Sequence, residues 1–487
     1  MSEGVLDHIL ICGSGLAFEA GLAALARNLD PSIRITALEL EPEDCFDPLY
    51  GSVMPPTAFT DLRLWGIEEP ELLLKTDTSF CYGTSYANWA GQLSWTQSYH
   101  LPLPVWDGIE LHFYLTHLGL PLEPYLVSAV CGKAGRFAHP PADPKIPLSR
   151  AEYGYQFDPS SLAGFLAGKD LPANVRRIRG EIGSILVEDD RIKAIALSDG
   201  SNLEAEFFID ATGPSGKLME ALGNCFQAER RIGFAQSRQE CDTLGSALRD
   251  VQGRPYGWQS QIHLRNQTIS FALCHPDQLD EVELPRGESG LSTSGRLDLG
   301  KREDGWRSNC AGIGHTNCVT EPLTPAPMIL LLRDIERLMQ LIPFSSNMAV
   351  EAREFNRLLR DDIDHCDIFL RAFYEVANLP DTPFWRDATA QDVPGKLAIK
   401  LEQFNSRGIL VSFDLETFNK EDWTILHYGM KRQPDRKHPF LEGVDSMAIQ
   451  RRLDQLSQAI AQLSLKVPPH ARYVNNFLQY LEKHHAR

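Results

Sequence analysis

The chain reads as α/β, with a βαβ opening, a β-rich middle and a mainly helical remainder, and three stretches of its 487 residues carry that reading. Residues 7–12, DHILIC, are apolar enough for a buried strand. Gly13-Ser14-Gly15 make a tight turn, Leu16–Leu29 has helical composition, and Ile33–Leu38 gives a second strand ending at Glu39. Further on, the strand Phe207-Phe208-Ile209 runs into Asp210-Ala211-Thr212-Gly213. The third stretch is Asn309–Pro343. There a small-residue run, Ala311-Gly312-Ile313-Gly314, precedes a helix with apolar residues at Met328, Leu331, Leu332, Ile335, Leu338 and Leu341, close to a 3.6-residue period.

Composition narrows the function before any motif is weighed. The length suits one large module or two intimate ones. With 47 basic against 65 acidic residues and a formal charge of −18, neither nucleic acid nor an anionic membrane is expected as the main partner. No apolar run approaches the roughly 20 residues that span a bilayer. The start, MSEGVLDHILIC, has an early acid and no basic region, so no signal peptide and a cytoplasmic location are expected. The ten cysteines are scattered, without Cys-x-x-Cys or zinc spacing, which fits free thiols and no metal site.

Taken in order, the first unit carries the clearest chemistry. Gly13 and Gly15 let backbone approach a pyrophosphate where Leu16 and Ala17 open a helix, and Glu39 ends the next strand in position for a ribose hydroxyl. The third glycine of this dinucleotide fingerprint is replaced by Phe18, which predicts looser helix–strand packing. A loop rich in proline and small residues, 45–60, surrounds Gly51, and a short helix follows, ending near Trp65-Gly66-Ile67. Residues 80–106 are aromatic and β-like, with His100 between Tyr99 and Pro102. Residues 132–150 hold four prolines and read as a surface excursion. Phe157-Asp158 opens a helix, Ile182–Val187 and Ile192–Leu197 pair as a hairpin, and 255–274 gives further strands. Asp210 and Gly213 meet at a strand end, as in a second nucleotide-contacting turn beside the first. The last third carries helices through Phe355–Ile363 and Met447–Leu463.

Four landmarks now stand in one order: GSG, FFIDATG, the Gly257-Trp258 pair and NCAGIGHTNCVTEPL. That order resembles the flavin-dependent tryptophan halogenases over nearly the whole chain, together with Asn88-Trp89, Tyr99-His100, Gly300-Lys301-Arg302, Asp381–Trp385 and Gly429-Met430. The resemblance implies a two-dinucleotide-motif FAD-binding (Rossmann-like) fold with a substrate β-sheet. Residues 1–345 would form the FAD-binding module with that sheet interleaved, and 346–487 a mainly helical module covering the substrate site. It implies FAD as cofactor, held by Gly13, Gly15, Leu16, Ala17, Glu39, Gly51, Asp210, Gly213, Gly314 and His315. It also implies a separate flavin reductase and an aromatic substrate, either a small molecule or a tryptophan borne on a protein or peptide.

The departures fall where the halogenases do their chemistry. In the family, reduced FAD and oxygen oxidise a halide to hypohalous acid, and a lysine before the Asn-Trp pair directs the halogen. Aligned through Phe80 and Asn88-Trp89, that lysine position is Cys81, and the nearest lysine is Lys75. The family glutamate three residues after that of Glu-Pro-Leu is Thr324. The halide-binding backbone reads Pro325-Ala326-Pro327, and proline has no N–H. Trp-x-Trp-x-Ile-Pro reads Trp258–His263 with the first tryptophan and the isoleucine kept. These losses lead to the expectation of an FAD-dependent monooxygenase on the halogenase scaffold, with halogenation as the alternative. His100 and Cys81 are the candidate catalytic residues.

Overall fold

The structure is a computed structural model that describes residues 6–41, 46–90, 93–285, 292–390 and 392–485. The expectations drawn from residues 1–5, and from Cys45 at the head of the loop 45–60, lie outside the described residues.

A six-stranded sheet organises the amino-terminal part. His8–Gly13 lies at its centre, parallel to Arg34–Glu39 on one side and Phe207–Ala211 on the other. Val175–Arg179 extends one edge, and Cys310–Gly312 with the antiparallel Trp306–Arg307 extends the other. Ile9, Leu10 and Ile11 are fully buried, as a parallel strand covered on both faces requires. In register, Gly13 faces Glu39 on one neighbour and Ala211 on the other, so three strand ends finish together. Open α/β sheets bind ligands in the crevice beyond such ends. A Cβ at Gly13 would lie 2.2 Å from the Ala211 carbonyl oxygen, which reserves the position for glycine.

The predicted loosening at Phe18 is met elsewhere in the same helix. Phe18 is fully buried, with the Arg177 guanidinium over its ring at 5.5 Å. Close packing of helix Gly15–Asn28 is supplied by Gly21. A Cβ there would meet Ile313 at 2.7 Å and Ile11 at 2.9 Å. The glycine requirement has moved by one turn.

An eight-stranded, mainly antiparallel sheet forms the middle of the molecule, in the order 318–319, 292–302, 226–240, 267–274, 257–263, 249–254, 83–89 and 93–98. The chain then turns helical, from Ala326–Gln340 and Ala349–Ala372 to Ser446–Lys466 and His470–His485. The first of these begins at Ala326, two residues before Met328, the first helical position read from sequence. Pro327 falls in its first turn, where a missing N–H leaves no helix bond broken. One hydrophobic core runs from Leu6 to Val474, so the late helices share it with the sheets. Among the described residues no helix is long and apolar enough to cross a membrane. Nor does any group of three His, Cys, Asp or Glu side chains among them fit a metal ion.

Candidate active site

A cleft of about 240 Å³ opens beyond the joined strand ends. Gly13, Gly15, Ala17, Gly213 and His315 line it, five of the ten residues expected to hold the cofactor. Leu16 contributes its backbone N–H, which donates to Asp47 Oδ1 at 3.0 Å. A carboxylate therefore sits on the helix N-terminus, the place an anionic ligand favours. The turn fits a pyrophosphate in donor chemistry, because it already holds an anion; FAD must displace Asp47 or stand beside it. Burial pushes the Asp47 carboxyl up to about 6, against the pull of the Leu16 N–H.

Three expected ligands are placed differently. Glu39 Oε2 is engaged by Arg177 Nε at 2.9 Å and Arg179 Nε at 3.1 Å, and Leu40 and Glu41 line the cleft beyond it. The strand Val175–Arg179 supplies both arginines. Asp210 is wholly buried and accepts from Thr212 N, Thr212 Oγ1, Leu218 N and Met219 N at 2.6–3.0 Å. Four donors absorb its carboxylate, so it shapes the turn that carries Gly213. Gly51 lies beside Pro322, whose Cβ would be 3.2 Å from an added Cβ, and it lines a separate small void.

Gly314 has φ +61°, and an added Cβ would lie 2.3 Å from Tyr50 Oη. Its N–H donates to Asp334 Oδ2 at 3.0 Å, which ties the turn to the helix Ala326–Gln340. His315 stacks on Tyr50 with ring centroids 3.8 Å apart and donates its backbone N–H to Tyr50 Oη at 3.1 Å. Burial lowers its imidazole to about 4.

From His315 the chain leads directly into a second site. Glu321 is buried and accepts from Trp258 Nε1 at 3.1 Å, Tyr374 Oη at 2.6 Å and the Arg230 guanidinium. Arg249 holds the carbonyls of Pro322 and Leu323, and Tyr86 Oη also donates to Leu323 O at 2.8 Å. Thr324 Oγ1 accepts the Ala326 N–H at 3.3 Å, which turns the one N–H of the Pro-Ala-Pro stretch inward.

Pro325 then lines a cavity of about 330 Å³ with His100, Tyr99, Pro55, Ile329 and Phe418. His100 is 4% exposed. Its Nδ1 lies 2.5 Å from the Leu101 carbonyl oxygen, so the proton is on Nδ1 and Nε2 carries a lone pair. Nε2 has no partner, and burial lowers the imidazole to about 4.

Cys81 does not share this cavity. It is fully buried on the strand Ser79–Cys81, its Sγ 3.2 Å from the Gly83 carbonyl oxygen, and burial pushes the thiol up to about 11. A protonated, enclosed thiol neither directs a halogen nor attacks a substrate. Lys75 ends the helix Glu69–Lys75 and is exposed. Sequence reasoning missed Asp47, Tyr50 and Lys217, all of which line the cleft. In the proline-rich loop only the glycine carries a local sequence signal; the acid and aromatic before it gain their place through partners far along the chain.

Cleft and cavity are joined twice by the chain itself. Asp47 and Tyr50 line the cleft while Pro55 and Thr57 line the cavity; likewise His315 and Pro325. A nucleotide-type crevice is in this way connected to a chamber that Tyr99, His100 and Phe418 line together with acidic side chains, an arrangement that suits a flavin-dependent oxidoreductase. The sequence pattern of the tryptophan halogenases matches residues 8–446, and the chain belongs to the tryptophan halogenase family. FAD is the family's cofactor, supplied in reduced form by a separate reductase, and its substrates are aromatic.

The tryptophan 6-halogenase SttH of Streptomyces toxytricini is 25% identical over 275 residues, 52% of each chain. The chain thus spans about half the length of the first curated relatives it matches. The tryptophan 7-halogenase RebH of Lentzea aerocolonigenes is 23% identical over 437 residues, 79% of each. In three dimensions the chain is similar to BrvH, a flavin-dependent halogenase from Brevundimonas sp. BAL3. The TM-score is 0.86 at 25% identity, covering 97% of this chain and 99% of that one. These relatives are halogenases. They favour the halogenase alternative over the monooxygenase expected from the substitutions, and nothing in them supports hydroxylation.

Proposed function

We propose that this chain uses reduced FAD, oxygen and a halide to halogenate an electron-rich aromatic substrate. The observation that carries the proposal is the pair of segments, 47–57 and 315–325, that line both cleft and cavity. Bound reduced FAD, with oxygen, supplies the oxidising equivalent. Gly13, Gly15, Leu16 and Ala17 would hold the pyrophosphate through backbone, with Gly213 and His315 bordering the rest of the cofactor. Glu321 and Arg249 hold the connecting segment through buried hydrogen bonds. His100 Nε2, a bare acceptor, orients the substrate by taking a ring N–H or O–H. The cavity volume suits a free small aromatic more than a peptide-borne tryptophan.

A second reading, direct oxygen transfer to the ring, is favoured by one observation. Thr324 stands where the family has its glutamate, and Pro325-Ala326-Pro327 offer no outward N–H to a halide. Reaction of the chain with indole, oxygen, bromide and reductase-generated FADH₂ separates the two. Bromoindole supports halogenation, and hydroxyindole without bromoindole supports oxygen transfer.

A further inference from the structure

The cavity's charge points to a substrate class. Asp61, Glu152, Glu336 and Asp422 line it, and Arg333 is the cation among its lining residues. That guanidinium is already engaged: Nη1 binds the Asp362 carboxylate and Thr417 Oγ1, the latter at 3.0 Å. Asp61 and Glu336 face one another from the helices Ala58–Leu64 and Ala326–Gln340. Burial, then the nearby Glu336, pushes Asp61 up to about 6, against the pull of Arg333. Burial also raises Glu152, with Glu421 adding to it, and Asp422 reaches about 7. The lining thus sets four carboxylates against one guanidinium, which is shared between Asp362 and the neighbourhood of Asp61, so negative charge remains in excess. Beside it stands His100, 4% exposed, whose Nε2 lone pair is unpartnered.

Resting on the proposed aromatic-halogenating role, we infer that this cavity takes an aromatic amine: a ring bearing an N–H for His100 and a side chain ending in a protonated ammonium, without a carboxylate. The ammonium supplies the charge that the four acids lack, and the ring donor satisfies Nε2. A free amino acid would bring its own carboxylate against this lining, where Arg333 is held by Asp362. The cavity selects for the decarboxylated form of an aromatic amino acid over the amino acid itself.

The test is equilibrium binding to the FAD-loaded full chain at pH 7.5, with tryptamine, indole, indole-3-acetate and L-tryptophan as probes. No reduced flavin or halide is present, so the outcome is independent of whether the enzyme halogenates. Tryptamine should bind at least about tenfold more tightly than indole-3-acetate or L-tryptophan. Asp61→Asn and Glu336→Gln should each weaken tryptamine several-fold more than indole. Asp422 is left intact because its carboxylate accepts the Asn419 N–H in the capping box that starts the helix Lys420–Gly429. Equal affinity for tryptamine and indole-3-acetate, or equal losses for tryptamine and indole in both variants, would overturn the charge preference while leaving an aromatic site. Failure of all four probes to bind would overturn the aromatic site as well.

Discussion

Replacing Asp47 by alanine should tighten FAD binding. Asp47 Oδ1 accepts the Leu16 N–H at 3.0 Å, and the same carboxylate lies 2.6 Å from where a Cβ on Gly15 would be. The acid therefore occupies the approach that the two glycines open for a pyrophosphate. A hydrogen bond to a charged group contributes about 1.5–3 kcal/mol, part of it offset here by the desolvation that raises the Asp47 pKa. A net of about 1–2 kcal/mol remains to be overcome by the incoming cofactor, equivalent to roughly a 5- to 30-fold change in Kd. Apo wild type and Asp47→Ala would be titrated with FAD and followed by flavin fluorescence, with circular dichroism and melting curves to confirm that both are folded. Asp47→Asn, which keeps the volume and loses the charge, should fall between them. An affinity in folded Asp47→Ala equal to or weaker than wild type would refute the reasoning and show that the carboxylate does not compete for the anion site.

Other residues give equally direct expectations. If His100 Nε2 accepts a ring N–H, 1-methylindole should bind the FAD-loaded chain about fivefold more weakly than indole, close to 1 kcal/mol, and His100→Phe should abolish the difference; calorimetry on the four combinations measures it. Because burial holds the His100 pKa near 4, below its ordinary 6.5, the lone pair is present above that pH and lost as pH falls through it. Indole affinity should then stay level from pH 8 to 5, and an NMR titration midpoint near 6.5 for this imidazole would contradict the burial-lowered pKa. Glu321→Ala leaves the half-buried Arg230 without its carboxylate and Trp258 Nε1 and Tyr374 Oη without an acceptor, so denaturant unfolding should show a loss of about 3–5 kcal/mol.

Much of this was legible from local sequence, because glycines, strand composition and helical period act over a few residues. The βαβ opening, the strand into Asp210, the hairpin near 188–190 and the helix after Glu-Pro-Leu were all visible that way. What was not legible depends on partners far along the chain. Glu39 looked free for a ribose until Arg177 and Arg179, on a strand about 140 residues later, closed on it. Asp210 has the right type and place for a ligand, yet four donors from its own turn consume it. The fingerprint glycine absent at Phe18 is made good by Gly21, one turn on, which supplies the close approach. Cys81 was placed by counting back from Asn88-Trp89, and counting says nothing about which side of a strand faces a cavity. His100 was visible among its aromatics, while its tautomer, set by the Leu101 carbonyl, was not. The substitutions at Thr324 and Pro325–Pro327 suggested an oxygenase; the relatives favour halogenation.

One measurement reaches that choice directly. Indole or tryptamine is supplied to the FAD-loaded chain with a flavin reductase, oxygen and a bromide series, and the products are resolved by mass spectrometry. Halogenation by this chain predicts brominated product that rises and saturates with bromide and disappears without the chain. Hydroxylated product at a rate indifferent to bromide would contradict it.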